Sequence, residues 1–558
     1  MESPMRLRPL LAILCGTASL LAGSAGAVDL LRATLSNPTA YIPPQCYTKT
    51  EDAAGRAHNP CQTCHTRSRA PHYINDQDLQ LSFAFPAPAL KNPWSNLFVD
   101  RRAAVAATDP EELRAWVAQD NYRGPDGRPA LAAKLARPPA DWDANGDGRW
   151  SGYVPDAWFD FDDEGFDRAP DGNLSGWRAF AYQPLPGTFW PANGSTDDVM
   201  IRLPAAYRED AAGRPDRRIY ALNLAVTEAL IRRADVPIAP TDEAALGVDL
   251  DRDGRLGTAV RVAFAFAPLQ GVTMRWVGRA GSLAASEAPL AAGLYPLGTE
   301  FLHSVRYLDP RPEGVGMAPR MKELRYMKKT RWLSYFDRMD GALAEAKERH
   351  DFPDRIALFF GDAETGISNG SGWRLQGFIE DAAGELRPQS FEETVFCMGC
   401  HGGIGVNDDD TLAFPRKLGA DAFRGGWYHW TQKGLSGTPD LIRADGEGDY
   451  VHYLRTNGAG DEFRSNAELI RAWLGDGGLS EARAEAIRAD VAPLLLPSPE
   501  RALALNAAYR EIVREQSFTR GRDATIEPQD ATVWREVDQD HPTGLAEAAE
   551  PWYPRGRR

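Results

Sequence analysis

Two stretches of this chain, CQTCH at residues 61–65 and CMGCH at residues 397–401, each set two thiols and an imidazole within one helical turn. On a helix, positions i and i+3 share a face and i+4 lies beside them, so Cys61, Cys64 and His65 converge, as do Cys397, Cys400 and His401. Three chemistries use such sets. Four cysteines can hold a zinc ion, but the two pairs of such a site usually lie some 15 to 20 residues apart, and here more than three hundred residues intervene. A redox dithiol uses Cys-x-x-Cys but gives no reason for a histidine to follow both pairs. The third chemistry is covalent attachment of a porphyrin, in which the thiols form thioethers and the imidazole reaches the metal.

Cys-x-x-Cys-His is the attachment signature of haem c, and on its two motifs the sequence resembles a di-haem c-type cytochrome. The resemblance covers the two five-residue motifs and the export leader described below. It implies two covalent haem c groups, His65 and His401 as proximal iron ligands, and electron transfer to a redox partner protein. An alternative is a haem-dependent oxidoreductase similar to the di-haem peroxidases or oxygenases, with one iron open to peroxide or dioxygen.

The residue opposite each proximal histidine separates these two readings. His303 is the first candidate. On a strand, Phe301, His303, Val305 and Tyr307 share a face, which places the imidazole among apolar and aromatic groups; a core histidine bonded to a backbone carbonyl fits the same pattern. His452 in DYVHYL and His429 in GWYHW follow, and Cys46, the fifth cysteine outside the leader, is a thiolate candidate or a buried inert thiol. Met317, Met321 and Met327 are thioether candidates or core filler. His58 and His72 flank the first motif and read as surface residues, while His350 and His541 read as solvated. The basic run PRMKELRYMKKTR, from Pro319 to Arg331, reads as the start of a helix with a solvated face, or as a partner for haem propionates.

A second chemistry is written in two acidic loops. DANGDG from Asp143 and DLDRDG from Asp249 place oxygen-bearing side chains on alternate residues around a glycine turn, which suits calcium. Asp143, Asn145 and Asp147 are the candidate ligands in the first loop, and Asp249, Asp251 and Asp253 in the second. The twelfth loop positions are Val154 and Val260, where a bidentate Glu is expected, so a carboxylate must come from elsewhere; Asp156 and Asp160 are the nearest to the first loop.

The elements that position these groups follow from composition and periodicity. Residues 1–27 carry Arg6 and Arg8, an apolar run and an Ala-Gly-Ala cleavage site, a secretory leader that sends the mature chain to the periplasm or beyond the cell. Cys15 inside that run is preceded by Ala-Ile-Leu, a poor context for lipid attachment, and no later segment is apolar for long enough to span a bilayer. The formal net charge of −15 argues against nucleic acid and for basic partners. At 558 residues the chain exceeds one core. The expected class is α+β and multidomain, with cytochrome c-like haem modules at 28–125 and 391–520 flanking a β-containing middle at 126–390, and a tail at 521–558. Alternation marks strands at 260–266, 271–278, 301–308 and 372–381, and helical periodicity marks segments starting near Pro110, Arg464, Leu479 and Ser498.

Overall fold

The computed structural model describes residues 28–51, 55–180, 185–187, 191–412, 427–443, 445–457, 467–475 and 477–549. The leader, Cys15 and the terminal WYPRGRR lie outside those residues. The protein is α+β. Its centre is an antiparallel sheet whose strands run in the order Phe166–Arg168, Leu174–Phe180, Thr196–Arg202, Glu300–Arg311, Gly314–Lys329, Trp373–Glu380, Gly366–Ser368 and Phe360–Asp362, with Leu386–Pro388 also paired to Trp373–Glu380.

The register decides which face each side chain takes. Val199 pairs with His303, His303 with Arg325, and Arg325 with Gly377, so these positions share a face. Val199, Phe301, Met327 and Leu375 on that face join the main core with Tyr47, Trp94, Val395 and Met398. The helix Arg217–Arg232, begun by the Asp216 side chain accepting from the Arg218 and Ile219 backbone amides, adds Ile219, Leu222 and Leu230 to it. Met200, Leu302, Leu324 and Phe378 point the other way and pack with Tyr122, Phe159 and Trp177. The helix Pro499–Glu515, capped by Ser498, lies against the Glu300–Arg311 strand, where Ile512 and Tyr509 meet Tyr307. No helix among the described residues is long and apolar enough to cross a membrane.

Several expectations are met. The helix Pro110–Val117 starts on the Asp109 cap and buries Leu113 and Val117, and strands occupy Glu300–Arg311 and Trp373–Glu380. Two are corrected. Residues 271–278 form no strand beyond an Ala267–Val272 bridge. The basic run does not open a helix: Gly314–Lys329 is a central strand, and the helix begins at Tyr335 behind a Ser334–Asp337 capping box. Good helix formers are overridden there because the strand's buried cationic groups find fixed partners in the folded chain. Arg320 meets Glu380 at 2.6 Å, Arg325 meets Glu323 at 2.9 Å, and Lys322 Nζ donates to the Gly194 carbonyl at 2.7 Å.

Candidate functional site: the paired motifs

Cys61–Cys64 is a single helical turn, closed by the His65 amide donating to the Cys61 carbonyl at 2.8 Å. The second motif repeats this, with the His401 amide donating to the Cys397 carbonyl at 3.0 Å. The CMGCH turn lies so close to the N-terminal segment that a Cβ on Gly399 would sit 2.1 Å from the Tyr41 carbonyl oxygen.

The fold brings the two motifs into contact. The Val406 amide, just past the second motif, donates to the Cys64 carbonyl at 3.1 Å. Cys64 also packs with Ile404, Val406 and Leu412. Burial, with the Cys64 sulfur a smaller contributor, pushes the Cys400 thiol up to about 12. Burial raises Cys397 as well, against the pull of Arg325 and Arg522. None of the described cysteines is in a disulfide.

Each histidine is held from behind in the same way. His65 Nδ1 lies 2.8 Å from Asp76 Oδ2, and the Gln80 amide donates to the His65 carbonyl at 2.6 Å. His401 Nδ1 lies 3.1 Å from the Asp410 carbonyl, and the Asn369 amide donates to the His401 carbonyl at 2.8 Å. A ring whose Nδ1–H is engaged this way presents Nε2 as the lone-pair nitrogen, the tautomer a metal requires. Burial lowers His401 to about 4, so its imidazole is neutral.

The other histidines divide by sheet face. His303 lies on the motif face, near enough to His401 to contribute to that shift, and its Nε2 is 2.6 Å from Asp197 Oδ2. His429 belongs to the opposite face: its ring packs tilted against Phe161, centroids 4.5 Å apart, and the next amide, of Trp430, donates to Asp198. His452 sits on the helix Asp449–Asn457 with Nδ1 3.1 Å from Glu447 and Nε2 buried without a hydrogen-bond partner. Cys46, in the short helix Pro44–Tyr47, packs against the main core. Met321 and Met327 are buried core residues. Sequence reasoning put His72 on the surface, yet it is 4% exposed, with Nδ1 3.9 Å from Asp410. His541 stacks on Phe83 instead of pointing into solvent.

The acidic loops fold as turns around their first residue. Asp143 accepts from Gly146 and Gly148, and Asp249 from Gly254. Each loop is closed by a buried glutamate from outside it. Glu364 accepts from Ala144 and Ser151 at 2.9 and 2.8 Å, and Glu243 accepts from Asp251 and Gly257 at 3.2 and 2.9 Å. Asp156 is committed elsewhere, to Tyr153, Trp177 and Arg202, and Asp160 pairs with Arg168 at 3.3 Å. Glu243, Asp249 and Asp251 bring ligand oxygens within 4.8 Å of one another.

An α+β protein with two adjoining Cys-x-x-Cys-His turns on one face of its sheet is the class that fold and site define. The chain matches a family described as “-like lipoprotein” over residues 30–492. A protein of Aquifex aeolicus (strain VF5), named “Uncharacterized lipoprotein”, is 32% identical over 555 residues, covering 91% of this chain and 89% of that protein. No solved structure matches. The chain therefore belongs to this lipoprotein-like family. These matches correct the membership that the motifs imply: the family is not that of the c-type cytochromes. The dedicated electron carrier falls with that membership, and so does the di-haem peroxidase-like or oxygenase-like enzyme.

Proposed function

We propose that this protein is an exported, cell-envelope haem-binding member of its family, holding two haems covalently at adjoining sites. Cys61, Cys64 and His65 form one site; Cys397, Cys400 and His401 form the other. The observation that supports the reading is the matched partner behind both imidazoles, Asp76 for His65 and the Asp410 carbonyl for His401, which suits each Nε2 to be the nitrogen that a metal would take. A shared zinc centre fits less well, because among the described residues the thiols make no group of three ligands within metal-sharing distance. When bound, each haem supplies an iron and a flat apolar surface; the protein supplies thioether anchors, an axial nitrogen and the packing around them.

Export is the second part of the proposal. The relative's name speaks of a lipoprotein, but the context of Cys15 favours cleavage after Ala27 over acylation. Full-length chain expressed in a host with covalent haem-attachment machinery should yield a mature protein starting at Val28 and heavier than its polypeptide by two haems. A Cys64→Ala, His65→Ala variant should keep one. Mature wild-type protein without covalent pigment would sink the haem reading, and an acylated N-terminal cysteine would sink the cleavage site.

For the second acidic loop, where the carboxylates converge, we propose calcium, with Glu243 in the role of the absent twelfth-position carboxylate. Asp249 Oδ1 is buried without a hydrogen-bond partner, and a cation there would satisfy it. Calcium at 100 times its Kd should stabilise the fold by about 2.7 kcal/mol. Thermal melts with calcium and with chelator test this, and a Glu243→Gln variant should lose most of the difference. Coincident melts would rule calcium out.

A further inference from the structure

The two histidines are supported alike in geometry but not in charge. Behind His401 stands a neutral backbone carbonyl, that of Asp410 at 3.1 Å. Behind His65 stands a carboxylate, Asp76, which is 1% exposed and 2.8 Å away through Oδ2. Its other oxygen, Oδ1, accepts from the Gly405 amide at 3.0 Å. Gly405 lies four residues past His401, in the loop that crosses the first motif, and a Cβ there would fall 2.1 Å from the Thr66 carbonyl oxygen and 2.4 Å from Asp76 Oδ1. One buried side chain thus reaches a ring of one motif and the backbone behind the other.

We infer that Asp76 is a positioning residue that makes the two sites chemically unequal, giving His65 more imidazolate character than His401 and tying the His65 ring to the second motif's loop. The inference rests on the haem reading proposed above. A carboxylate draws the Nδ1 proton more strongly than a carbonyl does, and the ring responds by raising the donor strength of Nε2. An iron held by His65 is therefore the more electron-rich of the two.

The chemistry of one substitution isolates this. In Asp76→Asn the side chain keeps its size but has a single acceptor oxygen. If that oxygen stays on the Gly405 amide, an NH2 group faces His65 Nδ1, and the ring must move its proton to Nε2, where it blocks metal ligation. If the amide turns round, His65 keeps a weaker, neutral acceptor and the Gly405 amide loses its own. Asp76→Glu retains the charge and both acceptor oxygens.

The test uses the full chain. Covalent haem is first counted from the absorbance of the pyridine adduct; then the ferrous iron–histidine stretch is recorded by resonance Raman spectroscopy. In wild type two unequal stretches are expected. In Asp76→Asn the higher one should fall or vanish while the lower stays, and Asp76→Glu should restore it in part. Equal stretches in wild type, an unchanged higher stretch in Asp76→Asn, or equal movement of both would overturn the inference, the last making Asp76 a structural tie alone. No covalent haem in wild type would overturn the underlying reading instead. Should Asp76→Asn fail to take up haem, nitrogen-15 NMR of the histidines in the haem-free full-length chain decides the matter. His65 should carry its proton on Nδ1 in wild type, and a wild-type proton on Nε2 would refute the assignment.

Discussion

Arg320→Met will destabilise the fold by about 3–5 kcal/mol, because it strands a buried carboxylate. Glu380 is 0% exposed and Arg320 3% exposed. Arg320 Nε donates to Glu380 Oε1 at 2.6 Å, Tyr307 OH donates to Oε2 at 2.5 Å, and the guanidinium also reaches the Gly384 carbonyl and lies 4.1 Å from the Trp116 ring. Even with these partners, burial pushes the Glu380 carboxyl up to about 7. A raised folded pKa favours the protonated form, so the contribution of Glu380 to stability is full below its unfolded value near 4.5 and is lost as pH rises through about 7. Without Arg320 that dependence steepens: at pH 5 Glu380 is neutral and the defect is small, while at pH 8 the bare charge shows in full. Urea unfolding at the two pH values measures the difference, and a defect equal at both would refute the assignment of the cost to the Glu380 charge. The double variant Arg320→Met, Glu380→Leu should regain much of the loss, since a matched apolar pair leaves no unpaired charge.

The same pair shows what could be read from the sequence. Arg320 sits in PRMKELRYMKKTR, a run of good helix formers, and nothing local reveals that its charges are answered from Glu380, sixty positions on. The run forms a strand because tertiary pairing outweighs propensity. Segments governed by local rules were legible: the Asp109 cap, the Ser498 cap and the alternation across 301–308 each recur in the structure. In the candidate site the six motif residues were legible because their spacing is local. Their partners were not. Asp76, Gln80, Asn369 and the Asp410 carbonyl have no spacing rule that links them to a histidine, and Glu364 reaches Ala144 from 220 positions away. Glutamates from outside each acidic loop, Glu364 and Glu243, accept its backbone amides, whereas proximity in sequence pointed to Asp156, which Arg202 and Trp177 already occupy. Family membership lay beyond motif reading as well, because the match extends over residues 30–492 and the motifs occupy ten of these positions.

Asp409→Asn should be the most damaging conservative change near the second motif, costing about 3–5 kcal/mol. Asp409 is 1% exposed, its Oδ2 lies 2.6 Å from Lys329 Nζ, and its Oδ1 lies 3.2 Å from Arg338. Oδ2 also accepts the Tyr295 amide at 2.9 Å. Arg338 reaches on to Asp410 Oδ2 at 3.0 Å, so two cations and two carboxylates balance in a space from which water is excluded. The backbone is left-handed at both aspartates, with φ of 50° at Asp409 and 58° at Asp410. Asn tolerates that region as Asp does, so the substitution removes charge without adding backbone strain. What remains is Lys329, whose pKa burial already lowers while Asp409 holds it up. Without Asp409 it falls further. A lysine with a depressed folded pKa loses stability as pH falls, because the unfolded chain binds the proton more readily. The defect should therefore be larger at pH 6 than at pH 9, the opposite sense to that of Arg320→Met. Lys329→Met combined with Asp409→Asn should recover part of the loss, and a pH-independent defect would show that the cluster's charges are not its cause. The consequence reaches the site itself. The turn this cluster clamps supplies the Asp410 carbonyl to His401 Nδ1, so loosening it should release the His401 ring from its metal-directed tautomer while leaving His65, anchored by Asp76, in place.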